Sequence, residues 1–336
     1  MTDTDLPKPP RILVLGTGGT IAGAGAGARG TGAAYRPGGL SLDVLVGHLA
    51  ALGLEADLHP QEIARIGSQD IGFAEWHALH AACSTAIADP AIDAIIITHG
   101  TDTAEETGLL LDLTLPTSKP VILVGAMRPA DAVGADGMRN FANAVKVAGD
   151  PQAAGRGVML VMGDAVLAAR DARKAATSAI DAFRSFPRGP LARVTPATLD
   201  WFGPAHRVGE AARYAFPAAL PRTAILTAGA GMDALPVEAL LGIGVKGIVL
   251  AGMGQGNAPR VVLEALCACA AAGVPVVRAA RVDEGLVDRN VEVDDDALGL
   301  VAARALGPAR ARMLLMVLIA NGITDPRQVQ AAFDAS

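Results

Sequence analysis

Arg11-Ile12-Leu13-Val14-Leu15-Gly16-Thr17-Gly18-Gly19-Thr20-Ile21-Ala22-Gly23 begins as an apolar run and ends in a glycine-rich turn that carries hydroxyls. The run Arg11–Gly16 reads as a strand of a parallel sheet, whose two covered faces favour near-continuous apolar residues. A second stretch repeats the arrangement: Ala94–Thr98 leads into His99-Gly100-Thr101-Asp102-Thr103-Ala104-Glu105-Glu106-Thr107. Further strand candidates are Glu62–Ile66, Pro120–Gly125 and Gly157–Met162. Helical patterns lie between them, such as Phe73–Ile87, where Phe73, Trp76, Leu79, His80, Cys83 and Ile87 share one face. This βαβα order predicts an α/β fold with a larger N-terminal domain, its mostly parallel sheet flanked by helices. Loops at the carboxyl ends of such strands line the ligand crevice, and both hydroxyl-bearing turns belong there.

The segment Phe202–Pro221 breaks this rhythm, with Pro204, Pro217, Pro221 and no clear period. We assign residues 1–205 to the first domain, 206–221 to a linker and 222–336 to a second domain. Beyond the linker, Thr223–Ala228, Lys246–Ala251 and Val274–Ala279 form a second parallel set, followed by helices near Pro308–Ala320 and Asp325–Phe333. They predict a smaller C-terminal α/β domain with its own parallel sheet. The stretch from Gly23 to Gly39 around Tyr35 is dense in Gly and Ala, which predicts a mobile loop: a lid behind the first turn, or a disordered insertion.

Composition narrows the partners. The chain has 336 residues, 51% of them hydrophobic and only 18% charged, enough for two cores. No apolar run approaches the roughly 18 residues a membrane-spanning helix needs, so no membrane partner is expected. A formal net charge of −6 without a long basic run argues against nucleic acid and anionic lipid. The three cysteines, Cys83, Cys267 and Cys269, are not a disulfide framework, and Cys83 fits an apolar helix position. The acidic, proline-rich start, Met1 to Pro10, has no signal-peptide apolar region. That predicts a cytoplasmic protein, or a periplasmic one if the sequence is a mature form.

The glycine turn fails two nucleotide-binding patterns: Ile21 stands where the dinucleotide fingerprint needs its third glycine, and no Gly-Lys-Ser/Thr follows. Thr103 and Glu106 match a T-x-x-E capping box, which leaves Thr101 and Asp102 just ahead of a helix N-terminus and free to face the crevice. A threonine hydroxyl attacks an amide only after a base takes its proton. Lys174, after Arg170-Asp171-Ala172-Arg173, lies beyond the next-but-one strand and could reach Thr101. Buried there it would have a depressed pKa and serve as that base, whereas taken alone it reads as a solvated surface lysine. Ser68-Gln69-Asp70 offers hydroxyl, amide and carboxylate to a zwitterion, or is an ordinary βα turn with Asp70 near the helix cap. His77 and His80 lack a third partner, so no metal is expected. His99 reads as a brace for its turn, and the run Glu292-Val293-Asp294-Asp295-Asp296 as a solvated loop.

With both threonine turns in hand, the sequence resembles the bacterial-type L-asparaginase family, near its type II asparaginase and glutaminase-asparaginase members, from Ile12 to Phe333. Further matching stretches are Ile66–Asp70, Val124–Pro129, Val166–Asp171 and Glu292–Asp295. The resemblance implies a threonine-dependent amidohydrolase acting on L-asparagine, with L-glutamine as a possible second substrate and no metal or organic cofactor. It implies Thr20 as nucleophile with Tyr35 beside it on the lid, and Thr101, Asp102 and Lys174 as a relay triad. Ser68, Gln69 and Asp102 would hold the substrate's α-carboxylate and α-amino groups, and the Ala126 carbonyl would meet its amide. Glu292 and, to a lesser degree, Asn257 would come from a neighbouring subunit of a homotetramer, a dimer of intimate dimers. The chain departs from the family in its longer Gly/Ala-rich lid, in Arg173 and in Ala104. A non-catalytic amino-acid-binding protein on the same scaffold is the competing reading, and retention of Thr20, Thr101, Asp102 and Lys174 together speaks against it.

Overall fold

A computed structural model describes residues 8–25, 35–36, 38–50, 55–116, 118–205 and 213–336. They divide into two compact units, Met1–Ser185 with Gly189–Ala212, and Phe186–Arg188 with Arg213–Ser336. Most of the Gly/Ala-rich stretch read as a lid, and the first part of the segment read as a linker, lie outside the described residues.

In the first unit the chain runs β1 (Arg11–Gly18), β2 (Ala24–Gly25), β3 (Tyr35–Arg36), α1 (Leu42–Ala50), β4 (Asp57–Ile66), α2 (Phe73–Ala88), β5 (Ala94–Thr98) and α3 (Ala104–Thr114). It continues through β6 (Val121–Val124), α4 (Gly137–Ala148), β7 (Val158–Met162), β8 (Ala165–Ala168), β9 (Ala172–Lys174), β10 (Phe183–Ser185), β11 (Ala192–Val194) and β12 (Leu199–Trp201). The main sheet has the order β12-β11-β8-β7-β6-β5-β1-β4. Its half from β4 to β7 is parallel, and the β7–β8, β8–β11 and β11–β12 pairs are antiparallel. Alternate side chains of each parallel strand go to opposite faces. Ile12, Val14, Ile96, Ile122 and Val124 pack with Leu42 and Leu45 of α1 and Phe141 and Ala144 of α4. Leu15, Ile95, Ile97 and Leu123 pack with Leu79 and Cys83 of α2 and Leu111 of α3.

The parallel strands follow the order of a doubly wound sheet: from β1 the chain crosses to β4 on one side, then to β5 on the other. That reversal creates a switch point between β1 and β5, where the following loops diverge and leave a crevice. β4 extends further toward its start than its apolar end, Glu62–Ile66, suggests. It begins at Asp57 and contains Pro60, which costs nothing on an edge strand with no outer neighbour to bond. The three-residue strands β9 to β12 were not foreseen, since they are too short to show a period.

The second unit holds β13 (Thr223–Thr227), α5 (Leu235–Gly242), β14 (Gly247–Gly252), α6 (Arg260–Ala271), β15 (Val276–Ala280), α7 (Asp295–Leu298), β16 (Val301–Ala302), α8 (Pro308–Ala320) and α9 (Pro326–Asp334). Its four strands form one parallel sheet in chain order. One core cluster joins Leu226, Ile248 and Leu250 to Val262, Leu266 and Cys269 of α6. The three cysteines are free thiols; burial pushes that of Cys83 up to about 12. No helix among the described residues is long and apolar enough to cross a membrane.

The acidic run is a correction. Asp295 is fully buried, paired with Arg278 at 1% exposure, rather than part of a solvated loop. Asp294 caps α7, its carboxylate accepting the Ala297 N–H at 3.1 Å.

Candidate active site

The first turn owes its shape to two glycines. Gly18 has φ +97°, and a Cβ there would lie 2.6 Å from the Ile66 carbonyl oxygen. Gly19 has φ 77° and ψ −171°, a region open essentially to glycine, and its Cβ would lie 2.5 Å from the Gly100 backbone. The two hydroxyl-bearing turns therefore meet backbone to backbone. Gly19 N–H donates to the Ile66 carbonyl at 2.9 Å, and the Thr17 hydroxyl donates to the Thr98 carbonyl at 2.9 Å. Thr20 then starts a single 3-10 turn, Thr20–Ala22, and is 8% exposed.

The second turn is anchored on the loop after β4. Asp102 N–H donates to Ser68 Oγ at 3.2 Å, and the Thr103 hydroxyl donates to the Ser68 carbonyl at 2.8 Å. The expected capping box does not form: Thr103 stands at the N-cap of α3 but makes no side-chain cap bond. Its hydroxyl is used instead to tie the two loops, while backbone bonds from Glu106 and Thr107 to the Thr103 carbonyl start the helix. Asp70 likewise ends a short 3-10 turn, and Gly72 is the N-cap of α2 with the Glu75 carboxylate accepting its N–H. A Cβ on Gly100 would come within 2.6 Å of Ser68 Oγ, so close contact again requires glycine.

Lys174 arrives on the β9–β10 hairpin. Its Nζ donates to Thr101 Oγ1 at 2.9 Å and to Asp102 Oδ1 at 2.6 Å. The Lys174 side chain is 18% exposed and that of Asp102 59%, so the pair sits at the mouth of the crevice, with the lysine inside. Neighbouring His99 is 1% exposed; its Nδ1 donates to the Gly100 carbonyl at 2.7 Å, and burial pushes its pKa down to about 4. A neutral imidazole there braces the turn.

One cavity of about 200 Å³ is lined by Gly19, Thr20, Gly67, Ser68, Gln69, Gly100, Thr101, Asp102, Met127, Lys174, Thr177 and Ser178. It brings together Thr20, Ser68, Gln69, Thr101, Asp102 and Lys174. Ala126 is fully buried and does not line it, although the next residue, Met127, does. The loop that carries both is held by Asp136, which accepts the Met127 and Arg128 N–H groups, and by Asn140, which donates to the Gly125 carbonyl at 2.9 Å. The Tyr35 backbone pairs with Gly25 in the β2–β3 ladder, and its side chain lies outside the described residues. Asn257 and Glu292 belong to the second unit, where the Asn257 amide donates to the Glu292 carboxylate. Sequence reasoning missed Met127, Thr177 and Ser178; the last two lie in the turn after Lys174, where only proximity to that lysine could have marked them. Among the described residues no three His, Cys, Asp or Glu side chains gather as a metal site.

A small polar crevice with two threonines, a lysine–aspartate pair and a serine suits nucleophilic attack on a small polar substrate. Comparison with known proteins agrees. Residues 11–207 match the model of the asparaginase N-terminal domain, and residues 222–333 that of the glutaminase/asparaginase C-terminal domain. A Haemophilus influenzae protein named probable periplasmic L-asparaginase is 39% identical over 97% of this chain and 93% of its own. A Pseudomonas fluorescens protein named glutaminase-asparaginase is 36% identical over 97% and 90%. The crystal structure of a probable cytoplasmic L-asparaginase from Campylobacter jejuni superposes with a TM-score of 0.91 at 34% identity, covering 97% of this chain and all of that one. On these matches, which span nearly its whole length, the chain belongs to the asparaginase family.

Proposed function

We propose that the protein hydrolyses the side-chain amide of L-asparagine to L-aspartate and ammonia. Thr20 Oγ attacks the amide carbon, and its proton passes through the Thr101–Asp102–Lys174 relay to the departing nitrogen. The C–N bond breaks, ammonia leaves, and water cleaves the aspartyl–Thr20 ester to release aspartate and restore the hydroxyl. N–H donors near Thr101 stabilise the oxyanion of each tetrahedral intermediate. Every step uses the chain's own groups and water.

The observation that carries this reading is the bridging Lys174 Nζ, within hydrogen-bond distance of Thr101 Oγ1 and Asp102 Oδ1 in the cavity that Thr20 lines. In its amine form Lys174 accepts a proton from Thr101, while Asp102 compensates its charge in the ammonium form. Ser68, Gln69 and Asp102 take the substrate's α-carboxylate and α-amino groups, the Ala126 carbonyl meets its amide, and Tyr35 assists Thr20. Asn257 and Glu292 reach the site from a neighbouring copy in a homotetramer built of intimate dimers, with residues 206–221 linking the two domains. L-Glutamine is the second substrate to test, as the Pseudomonas relative's name indicates for that protein. One methylene separates the substrates, worth about 1–3 kcal/mol of discrimination in a pocket.

We place the protein in the cytoplasm, as the Campylobacter protein's name does for that protein, against the periplasm named for the Haemophilus relative; cell fractionation decides. The functional test is ammonia release from L-asparagine and L-glutamine by wild type and Thr101→Ala. Release by wild type that collapses in the variant supports the reading. No release from either amide by a folded oligomer overturns it.

A further inference from the structure

The second unit contains a charged pair with no place in the chemistry above. Arg278 stands in the middle of β15, 1% exposed, and Asp295 at the start of α7 is fully buried. Arg278 Nε and Nη2 donate to the two Asp295 carboxylate oxygens at 2.6 and 2.8 Å. Such a pair, with both charges out of water, is a poor device for stability, since desolvation offsets much of the attraction and an apolar pair would pack as well. What an apolar pair lacks is the remaining hydrogen bonds. Arg278 Nη1 donates to the carbonyls of Gln255 at 3.0 Å and Gly256 at 3.3 Å, the residues immediately before Asn257. Asp295 Oδ2 also accepts the N–H of Asn290 at 3.0 Å, two residues before Glu292.

The same two loops are tied a second time. Gln255 Oε1 accepts the Asp288 N–H at 3.1 Å, and Gln255 Nε2 donates to the Asp288 carboxylate at 3.3 Å. The Asn257 loop is closed on itself by reciprocal backbone bonds with Met253, at 2.8 and 2.7 Å. Glu292 is itself exposed, and its side chain is met by the Asn257 amide. Its direction is therefore set by the two loops, which the buried pair grips from below. Fixing a charged side chain before its ligand arrives removes the ordering cost from binding.

We propose that Arg278 and Asp295, with Gln255 and Asp288, are positioning residues that hold Asn257 and Glu292 in the geometry in which they meet the substrate of a neighbouring copy. The proposal rests on the reading of Asn257 and Glu292 as substrate ligands. Its signature is a rise in KM for L-asparagine with little change in kcat, transmitted through Glu292.

The experiment measures kcat, KM and thermal melting of the full-length oligomer for Gln255→Ala and Asp295→Asn, each alone and combined with Glu292→Gln. Expected are rises in KM of about fivefold or more in the single variants, kcat within about twofold, and almost no further rise when either is added to Glu292→Gln. Unchanged KM in folded single variants overturns the proposal, as do effects that multiply fully in the Glu292→Gln background, which belong to general structure. If Glu292→Gln alone leaves KM unchanged, the ligand reading fails and the proposal with it. If Glu292→Gln raises KM and Gln255→Ala does not, the positioning role alone fails. Gln255→Ala decides the matter where Asp295→Asn, which strands a buried guanidinium, does not fold.

Discussion

Gly19→Ala tests whether contact between the two threonine turns governs turnover. Its backbone, at φ 77° and ψ −171°, costs a residue with a Cβ about 1–3 kcal/mol. The added carbon would lie 2.5 Å from Gly100 N and Cα, where ordinary contact begins at 3.4 Å, so the turns must part by about 0.9 Å. Thr20 directly follows Gly19 and Thr101 directly follows Gly100, so that displacement falls between the proposed nucleophile and the relay. A 1 Å misplacement of reacting groups is worth about a hundredfold in rate, or about 2.7 kcal/mol of barrier. Coupled ammonia release with L-asparagine should show kcat reduced about a hundredfold, and urea denaturation a loss of about 2 kcal/mol. Gly322→Ala is the control: φ is again 77°, but a Cβ there meets nothing within 4 Å, so it should cost about 1 kcal/mol and leave kcat unchanged. A Gly19→Ala enzyme with kcat within threefold of wild type would refute the claim that the apposition of the turns matters.

Lys174→Met removes the group bridging Thr101 and Asp102 and should lower kcat by about 10²–10⁴-fold, with a smaller change in KM; a kcat near wild type would take Lys174 out of the relay. Burial keeps His99 neutral in the fold, with a pKa of about 4 against about 6.5 in an unfolded chain. The unfolded chain alone binds that proton between these values, so the stabilisation is fully present above about pH 6.5 and about 3 kcal/mol of it is lost as the pH falls to 4. Urea denaturation across that window should show a slope that His99→Asn flattens; equal slopes in both would remove His99 as its source. Arg156 stacks 3.9 Å over Trp201 and donates to the Gly203 carbonyl at 2.8 Å, pinning the chain just past β12. Trp201→Ala should therefore cost about 2 kcal/mol in urea denaturation with kcat unchanged.

Legibility in the sequence followed burial. Ala94–Thr98 and Arg11–Gly16 announce themselves because strands covered on both faces need apolar residues at every position. The antiparallel edge was not visible: Ala192–Val194 and Leu199–Trp201 have three residues each, the first alternating buried with exposed and the second half-buried with exposed, which is too little pattern to separate from a loop. At the site, the glycines and threonines of the two turns stand out by composition. Lys174 does not, because a lone lysine after Arg170-Asp171-Ala172-Arg173 looks like solvent-facing charge; the resemblance assigned it a role, and the fold sets it against Thr101. Asp295 was misread for the opposite reason, as one acid among neighbours in a charged run. The missed signal was its partner, since an arginine within Val276-Val277-Arg278-Ala279-Ala280 has no solvent to reach and must find a buried anion.

The most direct test of Thr20 as nucleophile is peptide mapping by mass spectrometry of wild type and Thr20→Ala, acid-quenched during turnover of L-asparagine. An aspartyl ester on the peptide bearing Thr20 in wild type, absent from Thr20→Ala, is the expected result. An ester on the peptide bearing Thr101 instead, or turnover by Thr20→Ala at more than about a tenth of the wild-type rate, would contradict it.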